Sequence, residues 1–337
     1  MKFYKLMFFI TMISGTLISI CSYSWLGMWM GLEINLISII PLINNNLNMY
    51  STESSIKYFL TQTIASMFIL FSIILMSMNM EMMFFLKNKI LMIIMNSGLL
   101  TKMGAAPFHF WFPEVMEGLS WINCFIMLTW QKIAPMILIM YNIILNNFFF
   151  FIITGSMLIS GILGLNQISM RKILTFSSIN HIGWMLSAMI HSKIIWLINF
   201  IIYTLITINL IFIFNKFKIF FVNQMIFLLN NKFIMKMFFC MNFFSLGGLP
   251  PFLGFLPKWL IINEMIMNKN YFLSFLMIML TLLTLYFYTR TIFSGMTMNL
   301  NSQMLMNFKI LNNFYFLLFN FMNLSLLLIF PIWIISI

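Results

Sequence analysis

Charged side chains are scarce in this chain of 337 residues: Asp, Glu, Lys and Arg together make up 7%, and aspartate is absent. Hydrophobic residues make up 62%, and the mean hydropathy is +1.02. Because a soluble domain is roughly one-half apolar and one-quarter charged, this composition excludes the soluble globular class. Most stretches of about 20 residues could cross a bilayer core of roughly 30 Å. We therefore predict an integral membrane protein with many spans.

Cysteine and histidine are also rare, with three of each. Cys21, Cys124 and Cys240 are isolated in apolar runs without metal or iron–sulfur spacing, so buried structural thiols are expected. Three histidines cannot ligate a pair of haems axially, and no redox cofactor or metal is predicted in this chain. The net charge of +12 comes without a basic, aromatic-rich polar segment, so no nucleic-acid partner is expected.

Short, asparagine-rich breaks divide the sequence into spans and leave no room for an inserted soluble domain. The run after Lys2 and Lys5 has no small-residue cleavage site, so it is predicted to be the first span rather than a signal peptide. The predicted fold class is an all-α polytopic membrane protein with about eleven transmembrane helices. The spans are placed at 4–22, 25–43, 56–78, 89–107, 121–141, 148–166, 173–190, 194–214, 234–263, 271–290 and 312–335.

The cations between the spans predict the orientation in the membrane. The N-terminus and the even-numbered loops carry eleven Lys and Arg residues, and the odd-numbered loops carry four, namely Lys87, Lys89, Lys193 and Lys269. Because cytoplasm-like compartments hold the more positive loops, the N-terminus is predicted on the positive side. With eleven spans, the C-terminus is predicted on the opposite side.

One motif occurs twice. Gly104–Phe108 followed by Pro113 matches Gly248–Phe252 followed by Pro257 at a constant separation of 144 residues. The match relates span four to span nine, and five spans is an odd number, so the copies would cross the membrane in opposite directions, as in inverted-repeat transporters. Proline and glycine disrupt helices, and irregular backbone at membrane depth must be covered by protein or water. Two broken helices along a transport route are predicted; two kinks with a packing role are the alternative.

The repeat also predicts the domain organisation. The chain would form a single membrane domain over residues 1–337. A first five-helix repeat would occupy 1–146, a second would occupy 147–294, and a loop with a C-terminal helix would follow at 295–337. Each repeat would then contain one broken helix.

Two lysines lie deep within predicted spans. An ionisable side chain costs roughly 2.5–3.5 kcal/mol near a membrane-helix centre, so such residues are usually functional. Lys102 lies roughly 18 Å into span four, just before the Gly-Pro break, which is too far from either interface for simple snorkelling. Lys132 lies at similar depth in span five, with Thr129 and Gln131 beside it, and Pro135 is expected to loosen the backbone beyond it. Both are predicted to function in the membrane.

Three further residues complete the set of candidates. Glu33 lies in span two beside Asn35, and because a lone buried carboxylate is protonated or paired, Lys102 is its expected partner. Lys258 follows Pro257 in the second broken span and either lies in the membrane or marks its aqueous end. His181 lies mid-span and either relays protons or is a hydrogen-bonded core residue. Water-linked Lys, Glu and His side chains form proton relays, so the set predicts proton transfer rather than solute transport.

Five stretches, in order along most of the chain, resemble a known family. They resemble subunit 2 of mitochondrial NADH dehydrogenase, one of the antiporter-like membrane subunits of respiratory complex I, and the composition resembles its arthropod members. The stretches are Ser51–Gln62, Lys102–Val115, Leu128–Pro135, Phe176–Met185 and Gly247–Trp259.

The resemblance implies two inverted five-helix repeats, each with a broken helix, in the mitochondrial inner membrane, with the N-terminus in the matrix and the C-terminus toward the intermembrane space. It implies that Glu33, Lys102, Lys132 and Lys258 form a central hydrophilic axis to which His181 is linked. It implies no cofactor in this chain, because NAD, FMN, iron–sulfur clusters and ubiquinone belong to other subunits. The implied partners are other complex I membrane subunits, phospholipids such as cardiolipin, and protons.

Three hypotheses for the function are compatible with these patterns. The first is a proton-translocating subunit of the NADH:ubiquinone reductase with no redox chemistry of its own. The second is a structural membrane module whose polar axis only specifies packing, and the third is a stand-alone cation/proton antiporter. The chain would begin at the fourth helix of the full antiporter-like pattern, as in animal members of the family, and the sequence does not reveal an acidic partner for Lys132.

Overall fold

Long apolar helices form nearly all of the described structure. The computed structural model describes residues 3–44, 48–78, 84–143, 146–224 and 233–297. Within these ranges the only β-type pairing is an isolated bridge between Ser169 and Phe221. In the described part of the chain, eight helical segments are long and apolar enough to cross a membrane. The predicted all-α polytopic membrane fold is confirmed, and the predicted C-terminal span at 312–335 lies outside the described residues.

The helices follow the predicted spans closely, except that three predicted spans are interrupted. In chain order they are α1 (Phe3–Cys21), α2 (Trp25–Ile43), α3 (Met49–Met78), α4 (Phe84–Met103), α5 (Trp111–Gly118), α6 (Trp121–Leu128), α7 (Trp130–Met140), α8 (Asn146–Leu165), α9 (Met170–His191), α10 (Lys193–Phe217), α11 (Phe233–Gly247), α12 (Phe255–Met267) and α13 (Tyr271–Thr297).

Serine and threonine side chains are accommodated in these apolar helices by bonding within their own helix. The hydroxyl of Ser19 donates to the carbonyl of Thr16 at 2.7 Å, and that of Ser178 donates to the carbonyl of Thr175 at 2.7 Å. Such local bonds satisfy the hydroxyl hydrogen where water is absent. The helices can therefore carry polar groups without the support of solvent.

The described chain separates into two compact units. The first unit falls within Met1–Ser156 and takes in Leu174–Leu186 from the middle of α9, and the second contains Met157–Ile173 and the chain from Ser187 onward. The middle of α9 is assigned to the first unit, and 94% of the apolar window of that helix is buried within the chain, against 22% for α1. The repeat boundary between residues 146 and 147 stays a prediction.

Glycine allows α1 and α2 to pack backbone against backbone. A Cβ atom added at Gly31 would lie 2.5 Å from the amide nitrogen of Ser19 and 2.8 Å from the carbonyl oxygen of Gly15. Small residues permit this approach in membrane proteins, where close packing replaces the hydrophobic effect between helices. The contact fixes α2, which carries Glu33 and Asn35, against α1.

This close contact predicts a selective packing defect. The substitution Gly31→Ala should destabilise the first unit by about 1–3 kcal/mol. The added methyl group would collide with the backbone of α1, which can move only with the whole helix. Gly155→Ala is the matched control, since a Cβ atom there has no neighbour within 4 Å and alanine favours a helix. The amount of assembled protein surviving graded heating, measured on native gels, should fall for Gly31→Ala and stay constant for Gly155→Ala. Equal survival of the two variants would contradict this account of the interface.

Candidate functional site

The first broken helix is terminated by a glycine-dependent motif. The backbone leaves α4 at Gly104, which has φ +74°. The N–H of Gly104 donates to the carbonyl of Thr101 at 3.1 Å, and the N–H of Ala105 donates to the carbonyl of Leu100 at 3.1 Å. This pair of bonds, with glycine in the left-handed region, is the Schellman helix ending. The helix resumes as α5, so the predicted break in span four is present.

The second broken helix ends in the same way. The backbone leaves α11 at Gly248, with φ +78°. Gly248 N–H donates to the carbonyls of Phe244 at 3.0 Å and Ser245 at 3.1 Å, and Leu249 N–H donates to the carbonyl of Phe244 at 3.3 Å. The Gly248–Ser245 and Leu249–Phe244 bonds have counterparts 144 residues earlier. The sequence repeat therefore corresponds to a shared backbone geometry within each unit, and span nine is broken as predicted.

Glu33 and Lys102 meet between α2 and α4. The Lys102 Nζ atom lies 3.9 Å from the Glu33 Oε1 atom, with the two side chains 5% and 23% exposed. The separation is that of an ion pair but is longer than a direct hydrogen bond. The pairing expected from the sequence is thus present. Lys102 lies one residue before the end of α4.

Span five is interrupted before Lys132 rather than beyond it. The sequence placed the loosened backbone at Pro135, but Pro135 lies inside α7, and the interruption falls at Thr129, with φ −117° and ψ −70°. The Gln131 Nε2 atom donates to the Asn35 Oδ1 atom at 2.9 Å. This bond ties α7 to α2 one residue away from Lys132.

Lys132 lies over an aromatic ring. Its side chain is almost completely buried, at 1% exposure, and its Nζ atom lies 5.6 Å from the centroid of the Phe112 ring. The geometry is that of a cation–π contact. Phe112 is held in turn against the first break, because a Cβ atom at Gly104 would lie 3.2 Å from its side-chain atoms. The sequence carries no signal that places Phe112 at this site.

Lys258 lies at the second break, in the second unit. It is 7% exposed, and its Nζ atom donates to the carbonyl oxygen of Gly247 at 2.7 Å, with a longer contact of 3.5 Å to that of Leu246. This lysine therefore lies in the protein interior, and its position relative to the membrane stays a prediction. These acceptors are backbone carbonyls, which carry no signal in the sequence.

His181 is buried in the part of α9 that belongs to the first unit, with 5% of its surface exposed. The neighbouring Ser177, Ser178 and Asn180 are buried as well. Ser177 donates its hydroxyl hydrogen within the helix, to the carbonyl of Leu174 at 2.7 Å. The oxygen atoms of these side chains remain chemically able to accept hydrogen bonds near the imidazole.

The cysteines and the exposed Glu114 lie outside this site. Cys124 and Cys240 are buried as expected, but Cys21 is exposed at the end of α1, where the expectation of a buried thiol is wrong. The Glu114 carboxylate is exposed and accepts a bond of 2.8 Å from the Lys57 ammonium. In the part of the chain that the structure describes, no group of three or more His, Cys, Asp or Glu side chains could hold a metal ion.

An all-helical membrane protein with buried lysines beside two interrupted helices is the class that this fold and site define. The family model described as NADH:quinone oxidoreductase/Mrp antiporter, TM, matches residues 22–284. The chain is 50% identical over 322 residues to the NADH-ubiquinone oxidoreductase chain 2 of Anopheles gambiae, covering 94% of both chains. It is 52% identical over 304 residues to that of Aedes aegypti, covering 89% of both. The chain belongs to the NADH-ubiquinone oxidoreductase chain 2 family.

Solved structures share the fold at lower identity. A chain of respiratory complex I from Thermus thermophilus with bound aureothin matches with a TM-score of 0.80 and 20% identity, covering 87% of this chain and 71% of that one. A chain of the Mrp complex from Dietzia sp. matches with a TM-score of 0.74 and 14% identity, covering 86% of this chain and 59% of that one. At these identities the likeness establishes the fold alone.

The amide bond between α2 and α7 predicts a double-mutant result. Asn35→Leu and Gln131→Leu should each destabilise the first unit by roughly 1–3 kcal/mol, because each leaves the other buried amide without its partner. The double variant should lose clearly less stability than the sum of the losses in the two single variants. The survival of assembled protein after graded heating measures all three, and simple additivity would show that the two amides are not coupled.

Proposed function

We propose that this chain is a proton-translocating membrane subunit of mitochondrial NADH:ubiquinone oxidoreductase, respiratory complex I. Glu33, Lys102, Lys132, His181 and Lys258 take part in the proton transfer. Electron transfer, with NAD, FMN, iron–sulfur clusters and ubiquinone, belongs to other subunits. Family membership supports the place in the complex, and the buried charge pair of Lys102 and Glu33 at a broken helix carries the proposal for the proton step.

The charge pair provides a means of coupling. Two unit charges about 4 Å apart interact by about 4 kcal/mol at the effective dielectric typical of proteins. A carboxylate stabilises a nearby ammonium group, so any change in the distance between the two charges changes how tightly the amine holds its proton. The separation of 3.9 Å leaves the pair close enough to interact without a fixed hydrogen bond. A shift of α2 against α4 would therefore act on the proton.

The helices that carry these groups are tied together. The Glu33–Lys102 pair joins α2 to α4, and the bond from Gln131 to Asn35 joins α2 to α7 beside Lys132. A movement of α2 would thus be felt on both lysine-bearing helices. This arrangement supports a relay in which Lys102 and Lys132 respond together, with water completing the path between them.

The surroundings of the subunit follow from its surface. Only 22% of the apolar window of α1 and 28% of that of α3 are buried within the chain. These faces are suited to other membrane subunits of the complex and to phospholipids such as cardiolipin. We assign the chain to the mitochondrial inner membrane as a multi-pass protein. The excess of cations on one side favours a matrix N-terminus.

Substitution of the buried lysines tests the proposal. Lys102→Ala and Lys132→Ala should lower NADH turnover and coupled proton pumping several-fold while the complex still assembles, because each removes a group that carries a proton. Lys193→Ala is the matched control, since Lys193 is exposed at the start of α10. Proton uptake by inverted membrane vesicles, normalised to assembled complex on native gels, measures the effect.

Two outcomes would favour the other hypotheses. If the lysine variants lower the abundance of the complex while the assembled fraction pumps normally, the polar axis serves packing only. If the chain purifies from native membranes by itself rather than with a large complex, it acts as a stand-alone antiporter. Both measurements use the same membranes.

The carboxylate can be tested separately. Glu33→Gln keeps the size of the side chain and removes its charge, so coupled pumping should fall while assembly persists. Glu53→Gln is the control, because Glu53 makes an exposed ion pair with Lys57 at 3.0 Å, and exposed pairs contribute little. Equal pumping by the two variants would exclude a role for the Glu33 charge.

A further inference from the structure

Lys258 folds back onto the helix that precedes it. Its Nζ atom donates to the carbonyl oxygen of Gly247 at 2.7 Å and lies 3.5 Å from that of Leu246. These are the last two residues of α11, and Lys258 itself lies in the first turn of α12. The ammonium group therefore lies at the carboxyl end of α11. Exposed carbonyl groups give a helix partial negative charge at this end, which attracts a cation.

The space for this side chain exists because residue 248 is glycine. A Cβ atom added at Gly248 would lie 2.7 Å from both the Cδ and Nζ atoms of Lys258 and 2.9 Å from its Cε atom. Contacts below 3.0 Å require the lysine to move. The left-handed φ of +78° alone would favour glycine, but the occupied space is a second and independent demand on the same residue.

The first break shares the left-handed glycine and the Schellman bonds but has a different neighbour. A Cβ atom at Gly104 would meet the side chain of Phe112 at 3.2 Å, not an amine. The residue that corresponds to Lys258 by the separation of 144 is Glu114, which is exposed and paired with Lys57 at 2.8 Å. Both breaks require glycine for the left-handed backbone. Only the second break also requires glycine to leave space for a lysine side chain.

We propose that Gly248 is a positioning residue for proton transfer at Lys258. By lacking a side chain, it leaves the volume in which the lysine reaches the carbonyl oxygens of Gly247 and Leu246. The charge of Lys258 is thereby stabilised by a helix end as well as by any side chain around it. This inference rests on the proposed function of Lys258 and adds to it the residue that determines where the proton is held.

The test compares Gly248→Ala with Gly104→Ala in the assembled complex. Both variants place alanine at a left-handed glycine that ends a half-helix with a Schellman pair of bonds, so both introduce strain at a positive φ. Each is measured with Lys258 present and in a Lys258→Ala background. A high-resolution density map of the Gly248→Ala complex gives the distance from the Lys258 Nζ atom to the Gly247 carbonyl oxygen.

In the map, we expect the Lys258 ammonium of the Gly248→Ala variant to lie well beyond hydrogen-bond distance of the Gly247 carbonyl. We expect Gly248→Ala to lower pumping several-fold when Lys258 is present and to add nothing in the Lys258→Ala background. Gly104→Ala should lower pumping by a similar factor in both backgrounds. If Gly248→Ala impairs assembly, the added Lys258→Ala change should reduce the defect, because it removes the clash with the lysine and leaves only the strain at the positive φ.

Three results would overturn the inference: an unmoved Lys258 in the map, equal behaviour of the two glycine variants across the backgrounds, or an assembly defect of Gly248→Ala that Lys258→Ala does not reduce at all. These results are distinct from a failure of the proposed function. Normal pumping by an assembled Lys258→Ala variant would remove the proton-transfer role of Lys258 itself. Lost pumping in that variant, with an unmoved lysine in Gly248→Ala, would leave the role intact and remove only the positioning by Gly248.

Discussion

An ammonium group held inside a membrane protein needs compensating negative charge, because burying an unpaired charge is strongly unfavourable. Different groups lie near the buried lysines. Lys102 lies 3.9 Å from the carboxylate of Glu33, and Lys132 lies 5.6 Å from the centre of the Phe112 ring. Lys258 donates to a helix-terminal carbonyl at 2.7 Å. Every one of these partners lies on another helix or across a break, so charge placement and helix geometry are specified together.

The breaks themselves depend on a backbone arrangement that leaves few groups unsatisfied. Irregular backbone is tolerated at membrane depth only when its polar groups find partners. The Schellman bonds at Gly104 and Gly248 provide partners for carbonyls in the last turn of each half-helix. At the first break the indole N–H of Trp111 also donates to the carbonyl of Thr101 at 3.0 Å. At the second break a lysine supplies the additional donor.

Much of this site could be predicted from the sequence, since its signals are rare residues in an apolar background. The pairing of Glu33 with Lys102 followed from the cost of a lone carboxylate, and the breaks followed from Gly-Pro motifs. Phe112 gave no signal, because it is one of 41 phenylalanines. The interruption at Thr129 has neither glycine nor proline at the site, and the acceptors of Lys258 are backbone atoms, which carry no sequence signature.

The two breaks place their lysines at different positions of one motif. In the first, Lys102 lies in the last turn of α4, two residues before the left-handed glycine, whereas Leu246 occupies the matching position in the second. In the second, Lys258 reaches back from α12 to the end of α11. In both cases a cation lies near the carboxyl end of the first half-helix, where the backbone dipoles attract it. The shared backbone thus accounts for the location of the charge, while the side chains around each lysine account for its different partners.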